Sequence, residues 1–411
     1  MKSLPIKELI TEIITGEWGI DAIKDKGVAV IRTANFLNSG QIDFSKIVRR
    51  EIDEKKVSKK KLFSGDIIIE KSGGSLIQPV GRVVLFKNPD KDTYLCNNFT
   101  SVLRPNRDIV FSEYLFYALH YNHKKGKTLR YQNKTTGIIN LKLDKYLSSE
   151  IHIPPLDDQI RIATLLSKVE SLISRRREQL KKLDELLKSI FLEMFGDPVR
   201  NEKGWEMKRM DEISDSRLGK MRDKKFITGN HLRKYIGNSN VQWFRFKLDD
   251  LEEMDFDERE RTLFGLKNGD LLICEGGDIG RCAIWRNNLT ECYFQKAIHR
   301  VRLYHSQAIP EYVQYVMMFF SLYNGFKNVA CKATIAHLTG EKLKKTLIPL
   351  PPLELQNQFA NIEEKIISIK SYYQKSLTVQ ENLYEVLSQK AFKGELDLSR
   401  VQLVEEGDLV I

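Results

Sequence analysis

The 411 residues predict an α+β protein: two mixed α/β globular domains joined by two long antiparallel coiled-coil helices, with an internal pseudo-two-fold repeat. Three observations predict it. Ile153-Pro154-Pro155-Leu156-Asp157-Asp158-Gln159 is answered 197 positions later (351 − 154) by Leu350-Pro351-Pro352-Leu353-Glu354-Leu355-Gln356. Each copy leads into a long stretch without Gly or Pro, ended by Gly196-Asp197-Pro198 and by Gly394. The register between the two stretches never slips: Ala163 answers Ala360, Lys168 answers Lys365, Leu180 answers Leu377 and Phe195 answers Phe392. Solenoid repeats recur every 20–50 residues, so a period this long marks a duplicated module instead.

The module boundaries follow from these markers. Residues 1–152 form the first globular domain and 153–197 the first spacer helix. Residues 198–349 form the second domain, 350–394 the second spacer helix, and 395–411 a tail. In the first domain, short β-branched runs (Val28 to Ile31, Ile67 to Ile69, Val83 to Phe86) are punctuated by Gly and Pro, the pattern of strands. Phe111 to Tyr121 has the helical spacing of Tyr114, Leu115, Ala118 and Leu119. The second domain repeats the plan. Gly65-Asp66-Ile67 is echoed by Gly269-Asp270-Leu271, Gly81-Arg82 by Gly280-Arg281, and the helix by Pro310 to Tyr323. Lys134-Thr135-Thr136-Gly137-Ile138 matches Cys331-Lys332-Ala333-Thr334-Ile335 just before each Pro-Pro pair.

Each Pro-Pro pair forces an extended lead, because a residue before proline avoids the helical region. Asp157, Asp158 and Glu354 then sit in a first turn, where negative charge suits the helix dipole. A heptad seam runs through Ile162, Leu166, Val169, Ile173, Arg176, Leu180, Leu183, Leu187, Ile190 and Met194. A poorer one runs through Phe359, Ile362, Ile366, Ile369, Tyr373, Leu377, Leu387 and Ala391. Sustained seams of this kind mark coiled-coil helices. At about 1.5 Å per residue each helix is roughly 60 Å long, the length of a spacer. Two equal helices in one chain pack most simply on each other, antiparallel, with a domain at either end.

Bulk composition narrows the function classes. No apolar run approaches the roughly 18–20 residues that a membrane span needs. The start, Met1-Lys2-Ser3-Leu4-Pro5-Ile6-Lys7-Glu8, lacks the apolar segment of a signal peptide. Five cysteines without a Cys-x-x-Cys pair indicate neither a disulfide framework nor a ribbon-type zinc site, so a reduced cytoplasm fits. Cys274, Cys282 and Cys292 each lie in or beside an apolar run and read as core. A net charge of +11 points weakly to a polyanion.

Catalytic motifs are missing. There is no phosphate loop and no Gly-x-Gly-x-x-Gly fingerprint. Gly276-Gly277-Asp278-Ile279-Gly280 follows a strand, but Arg281 to Trp285 reads as another strand where a nucleotide site needs a helix N-terminus. The Pro-Pro pairs follow Ile or Leu, which cannot hydrogen-bond a target amine as the Asn or Asp of an amine-methylation motif does. The seven histidines give no metal-spaced pair on one helix face, and His120 with His123 reads as an exposed helix end.

Basic loops are the better candidates. Lys124, Lys125, Lys127, Arg130, Tyr131, Asn133 and Lys134 in the first half mix cations with amide and hydroxyl groups. Arg217, Lys220, Arg222, Lys224 and Lys225 do so in the second. Cations neutralise phosphates, and Arg, Asn and Gln can pair with base edges. One such cluster alone reads as a solvated loop; its recurrence in both halves favours DNA contact. The candidate DNA-contacting residues are Arg130, Tyr131, Lys134, Thr135, Thr136, Lys220, Arg222, Lys224, Arg281, Lys332, Ala333 and Thr334. Gly276 and Gly277 join them, since glycine either lets backbone approach a phosphate or simply turns the chain. Arg175, Arg176 and Arg177 read as a solvated or partner-facing side of the first helix.

This pattern of domain, Pro-Pro-Leu-x-x-Gln-led helix, divergent domain and second such helix resembles the specificity subunit of Type I restriction-modification systems. The resemblance spans essentially the whole chain. Its most specific parts are the leads with Gln159 and Gln356, Phe195-Gly196-Asp197, and Glu275 to Arg281. Asp158 and Leu355 depart from the Glu that the family carries before the glutamine, and Glu70 to Val80 is longer than its counterpart. The resemblance implies two target-recognition domains, each reading half of a split duplex DNA site. It implies spacer helices that dock two adenine-methyltransferase subunits, with a restriction motor-nuclease subunit joining them. S-adenosylmethionine, ATP and Mg then belong to the partners, and this chain carries no cofactor, no metal and no catalytic residue. Two alternatives are a duplicated DNA-binding or scaffold protein outside restriction-modification, and a fused methylase-specificity chain, for which no methylation motif is present.

Overall fold

The computed structural model describes residues 2–23, 26–75, 77–135, 138–221, 229–286, 288–327, 337–399 and 401–402. The chain divides into two compact units, Met1–Arg177 with Ser376–Ile411, and Glu178–Lys375. The divisions fall inside the two long helices, Leu156–Phe195 and Leu353–Lys393, which span the stretches expected from sequence. Each unit therefore holds one globular domain, the start of one long helix and the end of the other.

In the first unit a four-stranded antiparallel sheet runs in the order Ile10–Thr15, Thr100–Pro105, Ile67–Glu70, Val83–Leu85. Ile67 and Ile69 face one core, shared with the helix Ser112–Lys124, and Ile68 faces another. That two-sided burial is why this strand reads as a continuous apolar run rather than an alternating one. The second core is closed by a small sheet, Ile20–Asp21, Val48–Glu51, Val28–Ile31, Tyr94–Cys96, whose last two strands are parallel. The second unit repeats the arrangement: Ser214–Leu218, Ile298–Leu303, Leu271–Cys274, Cys282–Ile284 form its main sheet. Leu103 stands opposite Ile67 and Ile13, and Val301 stands opposite Leu271 and Ser216 in the same register. Cys274, Cys282 and Cys292 are core residues, as their apolar setting predicts.

The echo of Gly65-Asp66 in Gly269-Asp270 has a physical cause. Asp66 accepts from the backbone N of Phe63 and takes a bidentate pair from Arg104, both contacts at 3.0 Å. Asp270 accepts from the backbone N of Lys267 and takes the same pair from Arg302, at 2.7 and 2.8 Å. A buried carboxylate needs such a fork to offset its desolvation.

Within each unit the two helical segments run antiparallel. In the first, Arg177 pairs with Glu381 and Tyr384 sits against Glu170, while Ile162, Ala163 and Leu166 share a core with Leu387 and Ala391. In the second, Phe359 packs on Phe191 and Phe195, and Lys370 pairs with Asp184. The first helix ends at Gly196 in the left-handed region (φ 76°), and its last carbonyls accept from Lys203 Nζ and Trp205 Nε1.

Three expectations need correction. Every position of the first seam is buried or half-buried, but Ile369 of the second is 44% exposed. The inward face there runs through Phe359, Glu363, Ile366, Tyr373, Leu377, Tyr384, Ser388 and Ala391, so polar side chains at core spacing hid it from a reading based on apolar residues. Phe191 and Phe195 lie off the first seam yet are fully buried. The helix Pro310–Leu322 covers that flank, stacking Tyr312, Tyr315 and Phe319 on Phe191 with centroids 5.1–5.7 Å away. His120, expected at an exposed helix end, is buried against Phe116, and burial pushes its imidazole down to about 3. The helix continues past it to Lys124, which leaves His120 on the inward face.

Phe191→Ala should destabilise the protein by about 3–5 kcal/mol, since it empties the centre of this aromatic cluster; urea unfolding measures the loss. Glu363 is 2% exposed, and burial with the nearby Glu311 pushes its carboxyl from 4.5 up to about 7. A carboxyl raised in the folded state favours folding most when protonated. Stability should therefore fall as pH rises from about 4.5 through about 7, by roughly 3 kcal/mol in total. Glu363→Gln should flatten that fall, read as urea midpoints across the same window.

Candidate nucleic-acid interface

The basic clusters of the sequence separate once folded. Lys124 and Lys125 follow the domain helix back to the second long helix, Lys124 standing over the Tyr384 ring and Lys125 pairing with Glu385 at 2.7 Å. Lys127 stands over Tyr121, so these three cations are held by their own unit. Arg130 and Tyr131 lie just beyond, in the turn Leu129–Tyr131. Arg130 is exposed, with its guanidinium 4.9 Å from the Tyr131 ring, and Tyr131 packs edge-on against Tyr146.

From that turn the chain enters a hairpin, Gln132–Thr135 with Ile138–Leu141, in which Lys134 stands opposite Ile139 and Thr135 opposite Ile138. Thr136 lies outside the described residues, and for Lys134 and Thr135 the description covers the backbone alone. The hairpin takes Ser72–Gly74 as a third strand, with Ile139 opposite Gly74 and Asn140 opposite Ser72. The structure thus joins the Gly73-Gly74 pair to the Lys134-Thr135 segment in one sheet.

The second unit shows the matching contact. Leu338 N donates to Glu275 O as Leu141 N donates to Lys71 O, which pairs Gly277 with Gly73 and settles where the longer first-half loop diverges. An open pocket of about 600 Å³ is lined by Asn238, Glu275, Gly276, Gly277, Ala297, His337 and Thr339. A Cβ on Gly276 would come within 3.0 Å of the His337 ring, while one on Gly277 would meet open space. Gly276 therefore serves packing, and Gly277 serves the turn (φ 79°) on the open side. Lys332, Ala333 and Thr334 lie outside the described residues, as do Arg222, Lys224 and Lys225.

Two other candidates are engaged within the fold. Arg281 donates to the Asn238 carbonyl at 3.0 Å and to its side chain at 2.7 Å, as Arg82 donates to the Thr33 carbonyl at 3.2 Å. Each arginine fastens a short 3-10 turn to the sheet. Lys220 donates to the Asp255 carbonyl and pairs with Glu260. Its counterpart is Glu17, paired with Lys56 and Lys60, so the contact persists with its charges exchanged.

Sequence reasoning passed over the lysine-rich helix Glu54–Lys60, capped by Asp53, whose Lys55 and Lys59 are exposed. The run of lysines was the available signal. It also left Asn238, His337 and Thr339 unmarked, because nothing in their spacing shows that a glycine turn brings them together.

The long helices carry matched recesses. In the first unit a cavity of about 780 Å³ lies between the domain helix and the first long helix, with Lys87 and Glu113 paired at 3.9 Å and Glu170 and Arg175 on its wall. In the second, a cavity of about 570 Å³ is bordered by Arg286, paired with Glu311 at 2.9 Å, and by Glu363 and Lys370. Arg175 is exposed, Arg176 is half-buried, and Arg177 is held by Glu381 at 2.6 Å.

Known proteins show the same construction. Residues 3–183 and 202–379 match the Type I restriction modification DNA specificity domain. The chain is 26% identical over 424 residues to the Type I restriction enzyme EcoKI specificity subunit of Escherichia coli K12, covering 94% of this chain and 87% of that one. It is 24% identical over 351 residues to the MjaIX specificity subunit of Methanocaldococcus jannaschii, covering 77% and 76%. Its fold is similar to a chain of the type I R-M system (TM-score 0.58, 18% identity, 96% and 98% covered). It is also similar to the S subunit of a Type-I restriction-modification system from M. genitalium (TM-score 0.56, 14% identity, 95% and 96% covered). Carrying two copies of the specificity domain along most of its length, the chain belongs to the Type I restriction-modification DNA specificity family, whose task is DNA sequence recognition.

Proposed function

We propose that this chain reads a bipartite duplex site, one part per globular domain, with an unread gap set by the long helices. The observation that carries the reading is the repetition of the main sheet's strand order and central register in two domains whose surface residues differ. Two readers held by one pair of helices engage half-sites on one side of B-DNA, with centres near one helical turn, about 34–36 Å. In the first domain the contact surface is the sheet formed by Ser72–Gly74 and the hairpin, with Arg130 beside it. In the second it is the Gly277 side of the open pocket, with the Lys332-Ala333-Thr334 segment.

The same reading makes the chain a non-catalytic, cytoplasmic subunit. Two adenine-methyltransferase subunits dock on it, and a restriction motor-nuclease subunit joins the complex. The matched recesses support two equivalent docking surfaces. S-adenosylmethionine, ATP and Mg reside on those partners, and the methyltransferase turns the target adenine out of the stack.

Exchanging residues 205–345 for those of another such subunit should alter one half of the methylated motif, read by methylome sequencing; a change in both halves overturns the reading. Arg130→Ala should weaken DNA binding at all sequences and lower the log–log salt slope by about 0.9, the signature of one lost phosphate contact. Arg175→Glu should reduce the methyltransferase subunits per chain from two to one in native mass measurements. Arg177→Glu is a poorer probe, because it also removes the pair with Glu381.

A further inference from the structure

We infer that Gln159 and Gln356 are positioning residues that hold the unread gap to a single length, an inference that rests on the bipartite reading above. Each amide is buried, 1% and 0% exposed, in the first turn of its long helix. Gln159 Oε1 accepts from Phe111 N at 2.8 Å, and its Nε2 donates to Ile109 O at 3.3 Å and to Pro154 O at 3.0 Å. Gln356 makes the same three contacts, to Ile309 N at 3.1 Å, Gln307 O at 3.1 Å and Pro351 O at 2.9 Å. Two partners in each set belong to the turn that starts the domain helix, and the third to the Pro-Pro lead.

One side chain thus ties together the domain, the lead and the long helix. A tyrosine hydroxyl of the domain helix adds a second tie, Tyr114 to His152 O at 2.7 Å and Tyr312 to Pro349 O at 2.6 Å. The domain cannot rotate about its lead without parting these bonds where no water replaces them. Angular control of this kind matters for a split site. One base-pair step moves a half-site by about 3.4 Å and turns it by roughly a tenth of a revolution. A reader that rocks by that angle accepts neighbouring gap lengths.

The full chain, expressed with its methyltransferase in a host free of other adenine methylation, tests this by single-molecule methylome sequencing. Gln159→Ala, Gln356→Ala and the size-preserving Gln159→Met should leave the bases of both half-sites unchanged. They should raise the fraction of methylated sites whose gap is one base pair longer or shorter by roughly tenfold, equivalent to about 1.4 kcal/mol. Val102→Ala, which empties space in the first domain's other core, away from the joint, should lower methylation while keeping one gap. The inference is overturned if the glutamine variants behave like Val102→Ala, if a half-site changes its bases, or if folded Gln159→Met methylates nothing. A wild-type motif that is one continuous block instead defeats the bipartite reading itself.

Discussion

A buried primary amide at the head of each long helix is the constraint on which the molecule depends. Proline gives each lead its extended path, which leaves the Pro154 and Pro351 carbonyls, and backbone groups of the turn before each domain helix, to be paired by a side chain. Gln159 and Gln356 supply them, one acceptor and two donors each, in a site closed to water. Leaving any one of those groups unsatisfied costs about 1–3 kcal/mol. That cost explains why the same contacts recur at both joints, at spacings one residue apart, while the loops between strands drift further.

The strongest signals in the sequence were those with a period. The gap-free 197-residue register located both long helices, and the apolar runs located the central strands, because burial on two faces leaves no other composition. What stayed hidden was specified by the third dimension. Glu363 and Ser388 point inward because a neighbouring helix is there, and Phe191 is core because the domain helix lies across it. A pattern of apolar residues along one helix has no record of either neighbour.

The proposed contact surface was half legible for a related reason. The Lys134-Thr135 segment was visible, but its union with the Gly73-Gly74 strand in one sheet is a pairing between segments 68 residues apart, as Asn140 opposite Ser72 shows. Arginine and lysine gave the weakest guidance. Arg82, Arg281 and Lys220 look identical in sequence to cations that meet phosphate, yet each is spent on a carbonyl or carboxylate of its own unit. Only the available partners distinguish a structural cation from a free one.

The exchanged ion pair has a consequence for how such chains diversify. Glu17 faces Lys56 where Lys220 faces Glu260, so the two domains solve one contact with opposite polarity. A crossover between the halves that fell between the two members of a pair would set Glu17 against Glu260, or Lys220 against Lys56. Like charges would then meet beside the second sheet. A breakpoint outside this interval keeps each pair whole, so a domain carried over intact keeps opposite charges at this contact.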